Sequence, residues 1–171
     1  MKTLFVMRHA KAERDSASGR DFDRPLAKSG WHDAEAVGRE LGSRAVRPEL
    51  VLASPARRAA ETVTAFAQGF GKLDQQYERG IYNAPTDRLI EIVRNADDGT
   101  TRLLIVGHNP GFQDLLVRLA GDEPSELVDQ IVDGFSTSAI AAVELPIERW
   151  CDIRERSGRI VDLLLPRDLV D

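Results

Sequence analysis

Three short pieces of the chain carry the residues best suited to chemistry: Arg8-His9, Arg57-Arg58 and His108. A histidine with a reference pKa of about 6.5 is largely neutral near pH 7, so one ring nitrogen can donate while the other attacks. Guanidinium groups beside it disfavour the imidazolium form and present planar forks that suit an oxyanion. Taken singly, each piece has an ordinary explanation: a loop dipeptide, a solvated helix turn, a helix-capping histidine. Each, however, follows an apolar run of strand length. In open α/β sheets, ligands bind outside the carboxyl ends of the strands, where separate segments converge. Together the three pieces predict an anion pocket fitted to a phosphoryl group.

The elements that must position them follow from apolar periodicity. Thr3 to Met7 reads as a strand ending on Arg8-His9, and Asp15 to Pro25 as a polar loop. From about Ala27 to Ser43, Trp31, Ala34, Val37, Gly38 and Leu41 recur at helical spacing and define one buried stripe. Leu50 to Ala53 is a second strand, and Ser54-Pro55 reads as a capped helix start, with a core face at Val63 and Phe66-Ala67. A weak strand near Leu73 to Tyr77 precedes a helix after Pro85 that carries Leu89, Ile92 and Val93. Leu103 to Val106 is expected to be a strand buried on both faces. His108-Asn109-Pro110 repeats the cap-and-proline start, and its helix runs through Leu115, Leu116 and Leu119. The two helix starts are expected to bring backbone donors and positive dipole ends to the pocket. Ala139 to Leu145 and Ile160 to Leu165 extend the sheet. This alternation predicts an α/β three-layer sandwich, a mostly parallel central sheet with helices on both faces, in a single domain over 1–171.

Composition narrows the function classes. A net charge of -5 and a pI near 5.3 argue against general nucleic-acid binding, which requires a basic face, so the anion site must be locally positive within an acidic protein. Leu4 to Met7 is too short for a signal-peptide core, and no run approaches a membrane span. The single cysteine, Cys151, cannot form an internal disulfide, and no zinc-type spacing occurs. A cytoplasmic protein with no nucleic-acid or membrane partner is expected.

Arg8-His9, then Ser54-Pro55-x-x-Arg58-Ala59-x-x-Thr62, then Gly107-His108-Asn109, resembles the motif series of the histidine phosphatase, or phosphoglycerate mutase-like, superfamily. Arg8-His9-Ala10-Lys11, Asp23-Arg24-Pro25-Leu26 followed by Gly30, Ile105 to Pro110 and Pro166-Arg167-Asp168-Leu169 are similar to its small SixA-type phosphohistidine phosphatase branch. The resemblance implies His9 as nucleophile, with Arg8, Arg58 and His108 around the transferring phosphoryl group. Adjacent helical residues point about 100° apart, so Arg57 is expected at the rim or in solvent. Glu78 lies about where the superfamily often carries its acid, and it fits a solvated surface glutamate equally well. Asp21 and Asp23 are fallback acids whose other role is loop structure or a local Asp23-Arg24 interaction.

Ala10 stands where much of the superfamily has glycine, which bears on any positive φ there. Ala27 is a poor cap for the first long helix, and Ser29 is a candidate replacement that would shift its start. His32, with no second histidine four residues away, reads as a surface or capping residue. A zinc site built from His9, His32 and His108 is not required, and no metal or cofactor is expected. Three functions stay in view: a phosphatase for a phosphorylated protein, above all phosphohistidine; a phosphatase for a small phosphorylated metabolite such as a nucleotide or sugar phosphate; and a non-catalytic phosphate-binding or interaction module.

Overall fold

Alternating apolar residues send two strands into two cores at once. The computed structural model describes residues 1–169. In β1 (Lys2–Arg8), Leu4 and Val6 enter one apolar cluster while Phe5 and Met7 enter the other. In β4 (Arg102–Gly107), Leu103 and Ile105 oppose Leu104 and Val106 in the same way. All eight side chains are at most 3% exposed, and complete burial of such a group contributes roughly 2 kcal/mol. That double burial explains why both strands read as unbroken apolar runs.

The remaining strands are β2 (Leu50–Ala53), β3 (Asp74–Tyr77), β5 (Ile140–Leu145) and β6 (Arg159–Leu164), in the order β3-β2-β4-β1-β5-β6. β3, β2, β4 and β1 pair in parallel, and β5 runs antiparallel to both β1 and β6. The sheet is therefore mostly parallel. α1 (Lys28–Gly42) and α2 (Arg57–Phe70) cover one face. α3 (Thr86–Arg94), α4 (Gly111–Leu119) and α5 (Glu126–Asp133) cover the other. The three-layer α/β sandwich expected from the sequence is thereby realised. β3 is shorter than the Leu73 to Tyr77 run and is exposed throughout, as an edge strand that buries no face.

Two helix starts differ from expectation, and that of α1 keeps its place without a cap. α2 begins at Arg57 with Ala56 as its uncapped N-cap, because the Ser54 hydroxyl is engaged with His108 instead. α4 begins at Gly111 with Pro110 at the N-cap, and Asn109 Oδ1 reaches one residue further to accept from Gln113 N–H at 3.2 Å. α1 starts at Lys28 after Ala27, so Ser29 does not replace the missing cap. Backbone contacts hold that start: Ala27 N–H donates to the Lys11 carbonyl at 2.9 Å. A Cβ at Gly30 would lie 2.2 Å from the same carbonyl oxygen, an approach that only glycine allows. The first turn of α1 thus braces the loop that leaves the end of β1.

Candidate active site

The backbone of His9 is fixed from two sides at the carboxyl end of the sheet. Its N–H donates to the Gly107 carbonyl at 2.8 Å, and its own carbonyl accepts from Ser138 N–H at 3.2 Å. One residue on, Ala10 N–H donates to Thr62 Oγ1 at 2.9 Å, while Thr62 Oγ1 donates to the Arg58 carbonyl at 2.6 Å. The four-residue spacing of Arg58 and Thr62 therefore links α2 to the loop carrying His9. Ala10 has no positive φ, so alanine fits where a glycine was in question.

These links bring Arg8, His9, Arg58 and His108 to one cavity of about 310 Å³. Lys11 and Arg24 add positive charge to its walls, Asn83, Asn109 and Thr137 add neutral polar groups, and no carboxylate among the described residues lines it. The His9 and His108 rings lie 5.2 Å apart between centroids. His9 Nδ1 is 2.7 Å from the Ala10 carbonyl oxygen, which can only accept, so Nδ1 carries the proton and Nε2 the lone pair. Burial, opposed by that hydrogen bond and reinforced by the charges of Arg58 and Arg8, lowers the His9 pKa to about 4. Burial and the neighbouring His9 and Arg58 lower His108 to about 3. Both rings are neutral at pH 7.

Four buried side-chain polar atoms have no hydrogen-bond partner among the described residues, and three of them belong to this cavity: Arg8 Nε, Arg58 Nε and His108 Nδ1. Arg8 Nη1 and both Nη atoms of Arg58 are otherwise committed. Arg8 Nη1 donates to the Phe135 carbonyl at 3.1 Å. Arg58 Nη1 and Nη2 donate to the Asp21 carbonyl at 2.8 Å and to its Oδ2 at 3.0 Å. Leaving such donors unsatisfied costs roughly 1–3 kcal/mol each, a cost that a multiply charged oxyanion relieves.

The acidic residues have separate fates. Asp21 accepts from Tyr82 Oη at 2.6 Å, from Arg58 and from Arg24 Nε at 2.9 Å, and the Tyr82 bond leads the causes that hold its pKa near about 2. Asp23 is paired with Ser18 and Arg20, not with Arg24, because the 3-10 turn Asp21–Asp23 brings residues three apart to the same side. Glu78 lies outside the cavity: its carboxylate accepts from Gly80 N–H at 2.8 Å and lines a separate cavity beside β3. Arg57 is exposed and pairs with Glu61 one turn along α2. His32 is exposed on α1, apart from the other two histidines, and no cluster of three or more potential metal ligands occurs among the described residues.

Ser54, Asp21 and Tyr82 are the contacts that the sequence did not reveal in these roles. Ser54 lies within the motif that carries Arg58, yet its position before proline gave it the reading of a cap. Tyr82 is brought edge-on to the His108 ring, with centroids 5.5 Å apart.

The depressed pKa values carry a stability consequence. His9 in the unfolded chain protonates near 6.5 and in the folded chain near about 4, so between those values the unfolded state binds more protons. The contribution is complete above pH 6.5 and is lost as pH falls toward 4. Between pH 7 and 5, His9 should account for a loss on the order of 2 kcal/mol of unfolding free energy. Urea titrations of wild type and His9→Asn measure this as a difference in pH slope, and equal slopes would contradict the assignment.

Residues 4–83 match the family model of the histidine phosphatase superfamily (branch 1). An uncharacterized protein of Mycobacterium tuberculosis is 31% identical over 163 residues, covering 94% of this chain and 100% of its own. Phosphohistidine phosphatase SixA of Escherichia coli is 28% identical over 151 residues, covering 83% and 84% respectively. Among solved structures, a candidate phosphohistidine phosphatase SixA from Agrobacterium tumefaciens superposes with a TM-score of 0.81 at 28% identity, covering 96% of this chain and 98% of that one. Among the described residues, no helix is long and apolar enough to cross a membrane.

Proposed function

The chain belongs to the histidine phosphatase superfamily, and on that premise we propose that it hydrolyses protein phosphohistidine through a phosphorylated His9. The observation that carries this reading is the convergence of three unpartnered buried groups, on Arg8, Arg58 and His108, around a histidine whose Nε2 is neutral and free.

In the first half-reaction, His9 Nε2 attacks phosphorus and forms a new P–N bond. The P–N bond to the substrate breaks, its electron pair passes to the substrate ring nitrogen, and water supplies any proton that nitrogen takes up. In the second, water attacks phospho-His9, Nε2 recovers its electron pair, and orthophosphate leaves. Arg8 and Arg58 neutralise charge spread over the phosphoryl oxygens, and His108 donates to one of them. The Nδ1–H bond to the Ala10 carbonyl stabilises the cationic ring that forms during attack.

The leaving group follows from the carboxylates. Asp21 is ionised and fully engaged, Glu78 is directed elsewhere, and the cavity wall holds no acid among the described residues. An imidazole is a weak base and departs without strong acid assistance, whereas an alkoxide is not; positioned general acids are worth roughly 10²–10⁴-fold. This favours a phosphoramidate over a phosphate ester. Exposed, unpaired Cys151 is in keeping with a reducing, cytoplasmic setting. The test compares kcat/KM for a phosphohistidine peptide with values for nucleotide and sugar phosphates. A preference of about 10²-fold for the phosphoramidate is expected, and equal or reversed preference would sink the assignment of substrate class.

A further inference from the structure

We infer that Ser54 is a positioning residue that fixes the tautomer of His108 and so keeps a proton on Nδ1 for the bound oxyanion. The inference rests on the phosphoryl-pocket reading above, and follows from counting the hydrogens of one hydroxyl.

Ser54 is completely buried, and its own N–H is tied to the Val106 carbonyl at 3.0 Å, directly beside the end of β4. Its Oγ accepts from Ala56 N–H at 3.2 Å and lies 2.8 Å from His108 Nε2. No other partner of that hydroxyl occurs among the described residues. If Nε2 carried the proton, Oγ would accept twice and the hydrogen of this fully buried hydroxyl would have no acceptor among the described residues. That arrangement carries the cost of an unsatisfied buried donor. If Nε2 carries the lone pair, the hydroxyl donates to it and every group of Ser54 is satisfied. The proton of the neutral ring then resides on Nδ1, the one His108 atom that is buried without a partner.

The consequence for an anion is direct. An Nδ1–H donates to a phosphoryl oxygen, while a bare Nδ1 lone pair repels it. Arg8, Arg58 and His108 then act as three converging donors, and one of the three depends on a serine held at the start of the neighbouring crossover. The hydroxyl touches neither phosphorus nor the attacking nitrogen, so its action passes through His108.

Nitrogen-15 NMR of the imidazoles at pH 7 reads the tautomer on the resting protein, without any turnover. The wild type should show a protonated Nδ1 and an unprotonated Nε2 for His108. In Ser54→Ala this preference should be lost, and the dissociation constant for inorganic phosphate should rise about tenfold. Ser54→Thr, which keeps the hydroxyl, should restore both, and Ser54→Cys, a weaker donor, should fall between. A proton on Nε2 in the wild type overturns the inference. So does a Ser54→Ala protein with an unchanged tautomer or unchanged phosphate affinity. If Ser54→Ala does not fold, the wild-type spectrum and the Cys variant carry the decision. Failure of phosphohistidine turnover alone rejects the substrate, while the tautomer and phosphate binding still judge Ser54.

Discussion

Substitution of His9 by alanine is expected to lower kcat by at least about 10⁴-fold and to abolish the phosphoenzyme. No neighbour can take over the attack. His108 shares the cavity, but its Nε2 is committed to the Ser54 hydroxyl, and its other nitrogen is needed as a donor. The guanidinium groups are donors without a lone pair to offer phosphorus. The cavity's donors can still bind phosphate after the substitution, so affinity for orthophosphate should change far less than turnover. Single-turnover assays with a phosphohistidine peptide, followed by trapping of an acid-labile, base-stable phosphoprotein, read both effects. Turnover within tenfold of wild type, or persistent label, would remove His9 from the reaction.

Arg58→Ala should cost about 10³-fold in kcat/KM, because the side chain performs two tasks at once. Its Nε is one of the unsatisfied donors, and its Nη atoms restrain Asp21 through two hydrogen bonds. Without the guanidinium, the Asp21 carboxylate keeps Tyr82 and Arg24 but directs an incompletely neutralised charge toward an anionic substrate. A second change, Asp21→Asn, should therefore recover about tenfold on the Arg58→Ala background while bringing no gain to the wild type. Arg58→Lys should remain strongly impaired, since a point charge reproduces neither the fork nor the donor at Nε. Steady-state kinetics on wild type, the Arg58→Ala and Asp21→Asn single variants and their double variant measures the coupling. A loss below tenfold for Arg58→Ala would remove this side chain from the phosphoryl pocket.

The sequence disclosed features that depend on local order. The apolar run Thr3 to Met7 announced a strand, and the run Leu103 to Val106 announced one buried on both sides. Ser54 was misread because a hydroxyl before proline satisfies every local rule for a cap, while its actual partner lies 54 residues away. The link from Asp21 to Arg58 spans 37 residues and that from Asp21 to Tyr82 spans 61, distances at which no periodicity speaks. α5 is only eight residues long and fully buries Ile131 alone, with Leu127 and Val128 partly buried against the core, so its periodicity was too short to read. The reversed direction of β5 was likewise invisible, since an apolar strand next to β1 looks the same in either direction.

The place of β1 also sets an order of assembly during synthesis. The strand that leads to His9 is made before both of its neighbours, β4 and β5, whose residues are 102–107 and 140–145. Until then both long edges of an apolar strand lack their partners, and Gly107 and Ser138 cannot hold the backbone of His9. A chain that stops before Ile140 therefore lacks β5 and leaves one edge of β1 open and prone to pairing between chains.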